Sequence, residues 1–191
     1  MNVHARVRSW RLGWLLGVLA VALTASVPVT AQERFTAIVA RTSGAPGSDL
    51  KRVEVNIDRY TSDEEARELS RILTAGGQQQ LLVTVRTRNL GSIVIGDGPP
   101  RPVHAARASV TPAGRRIVVA TARPVASATR SQPSSADYPF QIVEFNVDAD
   151  GHGSGRLIEE AGVSIDALGA LSIASYMSAP QTLIEVSRAP R

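Results

Sequence analysis

The sequence predicts a mainly antiparallel β fold with one helical insertion, an α+β domain. Short apolar runs separated by turn residues recur at intervals of about ten residues from residue 92 onward, which is typical of antiparallel strands. The strands do not alternate with helices, so a parallel sheet is not expected. One segment, 62–88, contains the helical pattern. Strands joined by short reversals pair as hairpins, so we expect a meander that forms a barrel or a two-sheet sandwich, with the helical segment across an open end or edge.

The first 31 residues have the organisation of a secretory signal peptide. Arginines precede an apolar run over 12–23, and small residues end the segment at Ala31. This apolar run is shorter than the about 20 residues that a membrane anchor needs. We therefore expect cleavage between Ala31 and Gln32. The mature chain, 32–191, is then one exported domain, periplasmic or extracellular, without a membrane span.

Removal of this leader changes what the charge implies. The whole chain carries 21 basic and 17 acidic residues, a formal charge of +4. Three arginines and no acids precede residue 32, which leaves 18 basic against 17 acidic residues and a charge of +1. A near-neutral domain with few aromatic residues is not typical of nucleic-acid binding, so we predict no nucleic-acid partner. The chain has no cysteine, which excludes thiol nucleophiles and thiolate zinc sites.

Two strands are predicted before the helix, over 35–40 and 53–58. In the second strand, Val53, Val55 and Ile57 alternate with polar residues, so we expect them to share a buried face. The segment between the two strands is rich in glycine, proline and aspartate and predicts a loop.

A helix is predicted to begin at Ser62, because Ser62-Asp63-Glu64-Glu65 is a capping box. Apolar residues then recur at spacings of three and four, which gives one apolar stripe. Gly76-Gly77 is expected to end this helix, since glycine adopts a left-handed cap easily. The following segment, 78–88, is predicted as either a second short helix or a strand, because four of its residues are β-branched.

Eight further strands are predicted from the later apolar runs. They cover 92–95, 103–110, 116–122, 140–147, 155–159, 162–167, 171–176 and 182–187. The stretch 123–139 contains three prolines and predicts a long exposed loop, either functional or disordered.

The segment 146–151 resembles the start of a calcium-binding loop, because oxygen-bearing side chains alternate before a glycine. The position expected to hold a bidentate glutamate is Leu157, and a predicted strand precedes the segment. We therefore interpret it as a tight hairpin turn. A calcium site at Asp148 and Asp150 is the alternative, and no other metal or cofactor is predicted.

The mature chain lacks the motifs of common hydrolases. Its two histidines are His104 and His152, and it has no Gly-x-Ser-x-Gly elbow and no His-Glu-x-x-His helix. Two carboxylates assembled in space are the remaining route to acid–base chemistry. The sequence therefore predicts a non-enzymatic protein, with a hydrolase as a weaker alternative.

Several short stretches of the mature chain carry a family resemblance. They are 57–65, 76–78 with 81–82, 115–117, 121–124 and 137–140. Together they resemble a family of exported bacterial proteins of unassigned function, over most of the mature chain. The resemblance implies export and brings no catalytic residues. Relatives tend to have a second helix after the glycine pair, where this chain has β-branched residues.

The leading hypothesis is an exported, non-enzymatic β domain that binds a small or extended ligand in a barrel mouth or a loop cleft. Candidate residues for the polar rim are Arg115, Arg116, Arg123, Asp137 and Tyr138. The alternative is an envelope-associated interaction or structural module that contacts its partner through exposed sheet edges or loops. The expected partner is therefore an unknown small molecule or an envelope component.

Overall fold

The computed structural model describes residues 32–40, 50–123 and 137–190. These residues form ten strands and one helix. The elements are β1 (Glu33–Ala40), β2 (Arg52–Ile57), α1 (Asp63–Val85), β3 (Gly91–Ile95), β4 (Arg101–Pro102), β5 (Ala105–Thr111), β6 (Gly114–Ala122), β7 (Phe140–Val147), β8 (His152–Ile165), β9 (Leu171–Tyr176) and β10 (Gln181–Arg188). The predicted signal peptide and most of the predicted 123–139 loop lie outside the described residues.

All ten strands belong to one sheet, and every pair is antiparallel. The order is β4-β3-β2-β1-β10-β8-β7-β6-β5. The remaining strand, β9, pairs with residues 161–165 of β8, past the part of β8 that pairs with β10. The mainly antiparallel β fold with one helix is therefore confirmed. The sheet is not closed, since β4 and β5 are its two ends, so the predicted barrel is not confirmed. The last strand, β10, lies between β1 and β8, where the order departs from a meander.

One face of the sheet folds over on itself and encloses an inner core. Buried side chains of β1, β2 and β3 pack there against those of β6 and β7. Phe35 and Phe145 are fully buried, and their rings stack with centroids 5.3 Å apart. Val53, Val55 and Ile57 all lie in this core, so their predicted common face is confirmed. The centre of the inner core is thus filled with side chains.

The helix begins as predicted and is interrupted at the glycine pair, also as predicted. Ser62 Oγ accepts the N–H of Glu65 at 3.2 Å and Glu65 Oε2 accepts the N–H of Ser62 at 2.8 Å, which confirms the capping box. Gly77 has φ 68° and ψ −167° and kinks the helix, which then continues to Val85. Of the two alternatives for 78–88, the second short helix is the one observed, up to Val85, because Leu81, Leu82 and Val85 are buried on the sheet and this packing outweighs β-branched propensity.

The helix covers the face of the sheet opposite the inner core. Leu69 and Leu81 pack in a second core against side chains of β6, β7, β8 and β9. Strand β6 serves both cores, because Ile117 faces inward and Val118 faces the helix. The helix therefore lies on a face of the sheet, not across an end or edge as the sequence predicted.

Two of the predicted strands, 155–159 and 162–167, are one long strand, β8. Ala161 lies between them and is fully buried, with Phe140 of β7 on one side and Tyr176 of β9 on the other. Paired on both edges, the strand continues through this point.

Gln78, the first residue after the kink, attaches the helix to β8. Its Nε2 donates to the backbone O of Val163 at 2.7 Å, and its Oε1 accepts the N–H of Val163 at 3.0 Å. Val163 lies two residues beyond Ala161, the last residue of β8 that pairs with β7. The pairing of β8 with β9 also shifts register just before Val163. One amide side chain therefore satisfies both backbone groups at an irregular point of the sheet.

We expect Gln78→Leu to lower the free energy of unfolding by about 1–2 kcal/mol, because it leaves the backbone donor and acceptor of Val163 without this partner. The matched control is Gln80→Leu in the same helix, since Gln80 is exposed and its loss should change stability by less than about 0.5 kcal/mol. Urea unfolding followed by circular dichroism measures both. Equal losses in the two variants would contradict the role of Gln78.

Candidate functional site

The structure places the predicted rim residues in three separate locations. Arg115 and Arg123 are eight residues apart along and just beyond β6, which corresponds to about 26 Å of extended chain. Arg115 and Arg116 are consecutive in the strand, so their side chains point to opposite faces of the sheet. The five candidates therefore do not surround one mouth.

Arg115 belongs to a cluster at the end of the sheet where β1 begins. The cluster consists of Glu33, Tyr60, Arg115 and Arg188, and we name it the Glu33 cluster. Arg115 donates to the two carboxylate oxygens of Glu33 at 2.9 and 3.3 Å. Tyr60 Oη donates to Glu33 Oε2 at 2.5 Å and accepts from Arg115 at 3.3 Å, while Arg188 lies 3.8 Å from Glu33. The Glu33 side chain is only 5 % exposed, so its charge is enclosed and partnered.

Burial and hydrogen bonding act in opposite directions on Glu33. Burial raises the pKa of its carboxyl, but hydrogen bonds from Arg115 and Tyr60, with the charges of Arg115 and Arg188, bring the pKa below its ordinary value. The pKa of Tyr60 is raised, first by burial and then by its hydrogen bond to the charged Glu33. At neutral pH the cluster therefore holds an ionised carboxylate, a neutral phenol and two guanidinium groups.

An open cleft of about 320 Å³ adjoins the Glu33 cluster. Its lining residues come from β1, β2 and the residues beside them: Gln32, Glu33, Arg34, Asn56, Ile57 and Asp58. Arg34 Nε donates to Asn56 Oδ1 at 2.7 Å, and Asn56 Nδ2 donates to Ser92 Oγ at 3.2 Å. The cleft thus presents amide, guanidinium and carboxylate groups within one small volume.

Sequence reasoning missed this cleft, although it singled out Arg115 nearby. The lining residues carry no motif, and they meet only because the start of β1 pairs with the end of β2, Glu33 opposite Ile57. The available signal was weak: a strand of alternating residues that ends on Asn56 and Asp58.

Arg116 lies on the opposite face, in a second ion cluster with Glu144 and Arg156. Arg116 donates to both oxygens of Glu144 at 3.1 Å, and Arg156 adds a bond of 2.8 Å. Burial raises the pKa of Glu144, but the two arginines bring it below its ordinary value. Since these three residues stand on β6, β7 and β8, the cluster ties adjacent strands together.

Arg123 and Tyr138 lie together at the far end of β6. The Arg123 side chain is 9 % exposed, pairs with Glu160 of β8 and donates to the backbone O of Tyr138 at 3.3 Å. Asp137 precedes Tyr138 and is exposed. These three candidates form one local group, and a role for them in ligand binding stays a prediction.

Both histidines have identifiable structural surroundings. His104 is buried, and its Nδ1 lies 2.9 Å from the backbone O of Arg88. Burial lowers the pKa of His104 and outweighs the opposing effect of that hydrogen bond, so the ring is neutral at pH 7. His152 is exposed and begins β8.

The carboxylate of Asp148 serves its own turn. Its Oδ1 accepts the backbone N–H of His152 at 2.9 Å, and this bond is the first cause of its lowered pKa. Gly151 follows with φ 87°, as a tight reversal between β7 and β8 requires. Within 32–40, 50–123 and 137–190 no three His, Cys, Asp or Glu side chains are grouped so that they hold a metal ion. A calcium site at Asp148 and Asp150 stays an untested alternative.

Two small apolar voids lie between α1 and the sheet, each of about 10 Å³. One is lined in part by Leu81, His104 and Phe140. A void of this size is at the lower limit for a single water molecule, so these are packing defects. The polar cleft is therefore the better candidate for a ligand.

In the described part of the chain, no helix combines the length and the apolar character that crossing a membrane requires. Comparison with protein-family models, with curated proteins and with solved structures gave no match to this chain.

Proposed function

We propose that the mature chain is an exported, non-enzymatic β domain that binds a small polar ligand in the cleft beside the Glu33 cluster. The cleft is the observation that carries this proposal, since about 320 Å³ lies within the range of small-molecule sites. Export rests on the signal peptide that the sequence predicts. The start of β1 at Glu33 supports it, because the strand begins one residue after the expected mature N-terminus, Gln32.

The lining supports a ligand that both donates and accepts hydrogen bonds. Arg34 and Asp58 carry opposite charges, and Gln32 and Asn56 add amides. Free amino acids and hexoses have this chemistry at a matching size. Existing hydrogen bonds hold Asn56 and Arg34 in place, so binding costs little side-chain ordering there.

The ionisation states favour binding over acid–base catalysis. A general acid at neutral pH needs a raised pKa, whereas arginines hold the pKa of Glu33 and of Glu144 below the ordinary value. The buried His104 is engaged with a backbone carbonyl and lies in the second core region. None of these three groups is poised to transfer a proton.

The ligand proposal predicts localised binding. Titration of the ¹⁵N-labelled mature protein with a panel of free amino acids and hexoses should give saturable amide shifts at 33–34 and 56–58 for at least one compound. Asp58→Leu removes an exposed cleft carboxylate and should weaken that binding by about tenfold or more. Glu54→Leu, on β2 but outside the cleft, is the control and should leave affinity unchanged.

Two outcomes would overturn the proposal. One is the absence of saturable shifts with every compound in the panel. The other is equal affinity in wild type and Asp58→Leu, which would place any binding elsewhere on the protein.

A further inference from the structure

Two side chains of opposite charge line the polar cleft without pairing with each other. Arg34 stands on β1, and Asp58 follows the last residue of β2. Both line the cleft of about 320 Å³. The ion pairs among the described residues do not include one between Arg34 and Asp58. The cleft therefore holds a cation and an anion that are separate from each other.

Hydrogen bonds and strand register keep the Arg34 guanidinium in its place. The pairing of β1 with β2 sets Arg34 opposite Asn56, and Arg34 Nε donates to Asn56 Oδ1 at 2.7 Å. Asn56 is held in turn, because its Nδ2 donates to Ser92 Oγ of β3 at 3.2 Å. Asp58 lies two residues beyond Asn56, so its Cα is about 7–8 Å from that of Arg34, the diagonal spacing of paired strands. The guanidinium is thus fixed across a gap from the carboxylate.

Both charged groups keep free hydrogen-bonding capacity within 32–40, 50–123 and 137–190. The hydrogen bond that Arg34 makes there uses Nε, so its two Nη groups are without a partner in these ranges. The Asp58 carboxylate accepts no hydrogen bond there either, although the backbone N–H of Asp58 donates to the O of Leu90. The other carboxylate of the cleft, Glu33, is already bound by Arg115. Arg34 and Asp58 are therefore the charges that a ligand in the cleft meets.

Given the proposed function, on which this inference rests, we infer that the ligand is a free α-amino acid. Its carboxylate binds the two Nη groups of Arg34, and its ammonium binds the carboxylate of Asp58. The outer edge of a guanidinium matches a carboxylate through two parallel N–H···O bonds, and an ammonium group supplies three donors. An α-amino acid carries both groups on one carbon, so a small molecule bridges the two charges of the cleft.

Charge decides between amino acids and hexoses, the two ligand classes that suit the lining. A hexose is uncharged, so it shields Arg34 and Asp58 from water without giving either of them an opposite charge, which is costly. An amino acid compensates both charges, and its charge-assisted hydrogen bonds are about twice as strong as neutral ones. A ligand with one of the two groups leaves the other protein charge uncompensated. The cleft is therefore selective for the zwitterion.

Matched ligand derivatives test the two charges of the ligand. Each amino acid that gives saturable amide shifts at 33–34 and 56–58 is compared with its carboxamide and with its N-acetyl derivative, which keep its side chain. We expect each derivative to bind at least about tenfold more weakly. The reason is that the carboxamide lacks the anionic partner of Arg34, and the N-acetyl derivative lacks the cationic partner of Asp58. Hexoses should give no saturable shifts.

Neutral variants test the two charges of the protein. Arg34→Gln and Asp58→Asn should each weaken binding of the amino acid at least about tenfold. Arg34→Gln should change binding of the carboxamide little, because that derivative has no carboxylate to lose. Both residues are exposed, so the variants should keep the wild-type circular dichroism spectrum and unfolding midpoint. Arg52→Gln and Glu54→Gln, on β2 but outside the cleft, are the matched controls and should bind as wild type.

The outcomes separate this inference from the proposed function. Saturable shifts at the cleft with a hexose and with no amino acid would overturn the inference and leave the proposed function standing, whereas no shifts with any compound would overturn the proposed function itself. An amino acid that binds no more tightly than either derivative would also contradict the inference. So would weaker binding in Arg34→Gln with none in Asp58→Asn. The α-ammonium of Gln32 in the expected mature chain, one residue beyond the pair of Glu33 with Ile57, would then be the partner of Asp58.

Discussion

Arg115→Ala is expected to lower the free energy of unfolding by about 3 kcal/mol at neutral pH. The substitution removes the two hydrogen bonds that Arg115 donates to Glu33 and leaves an enclosed carboxylate with Tyr60 as its close donor and Arg188 at 3.8 Å. Loss of one partner of a buried ion pair is costly because the remaining charge is desolvated without compensation. Arg115 is 32 % exposed, so water that enters its place keeps the loss at the lower end of the usual range.

The pH dependence of this loss identifies its cause. The pKa of Glu33 in the folded protein lies below the ordinary value of 4.5, so ionised Glu33 stabilises the fold above about pH 4.5. That contribution is lost as the pH falls through the folded pKa. Arg115→Ala raises the folded pKa, and protonation of Glu33 then relieves the unpaired charge. The difference in stability between wild type and variant should therefore shrink on acidification. Glu65, whose pKa is about 2, titrates alike in both proteins and cancels.

Urea unfolding between about pH 7 and pH 4 measures this difference. In a Glu33→Gln background the same Arg115→Ala change should cost much less, because no carboxylate is left to isolate. Arg52→Ala, at an exposed arginine of β2, is the control and should change stability by less than about 0.5 kcal/mol. A loss that is constant across this pH range would show that Arg115 acts through packing and not through Glu33.

Features that depend on neighbours in the chain were predictable. The capping box at Ser62 needs only residues three apart, and the alternation of Val53, Val55 and Ile57 needs only strand geometry. Arg115 and Arg116 show the limit of counting charges: they are adjacent in the chain, yet strand alternation sends them to different faces and to different carboxylates.

Features that depend on strand register were not predictable. Glu33 meets Tyr60 and Arg115 across 27 and 82 residues of chain, and nothing local in the sequence marks the carboxylate as buried. The sequence left 78–88 open between a helix and a strand, and contacts with the sheet decide for the helix, among them the bond of Gln78 to Val163, 85 residues away. Long-range partners therefore decide both the burial of Glu33 and the helical state of 78–85.

Phe145→Ala is expected to have the largest effect on stability, a loss of about 3–5 kcal/mol in the free energy of unfolding. Phe145 is fully buried, and its ring stacks on Phe35 with an interplanar angle of 28°. Truncation removes this contact between β7 and β1 and opens a cavity where the sheet folds over on itself. Val110→Ala, at a side chain that is 89 % exposed, should change stability by less than about 0.5 kcal/mol.

The same measurement separates two locations for a ligand. If side chains fill the interior, Phe145→Ala destabilises the fold strongly. Any variant that folds still gives the amide shifts at the polar cleft, because the residues that line the cleft, apart from Ile57, lie outside the inner core. A loss below about 1 kcal/mol would mean that the inner core is loosely packed, because the cost of truncation grows with the cavity left behind. Such a result would favour an apolar ligand in the interior, the small-barrel hypothesis, while the amide shifts decide separately whether the cleft binds a polar ligand.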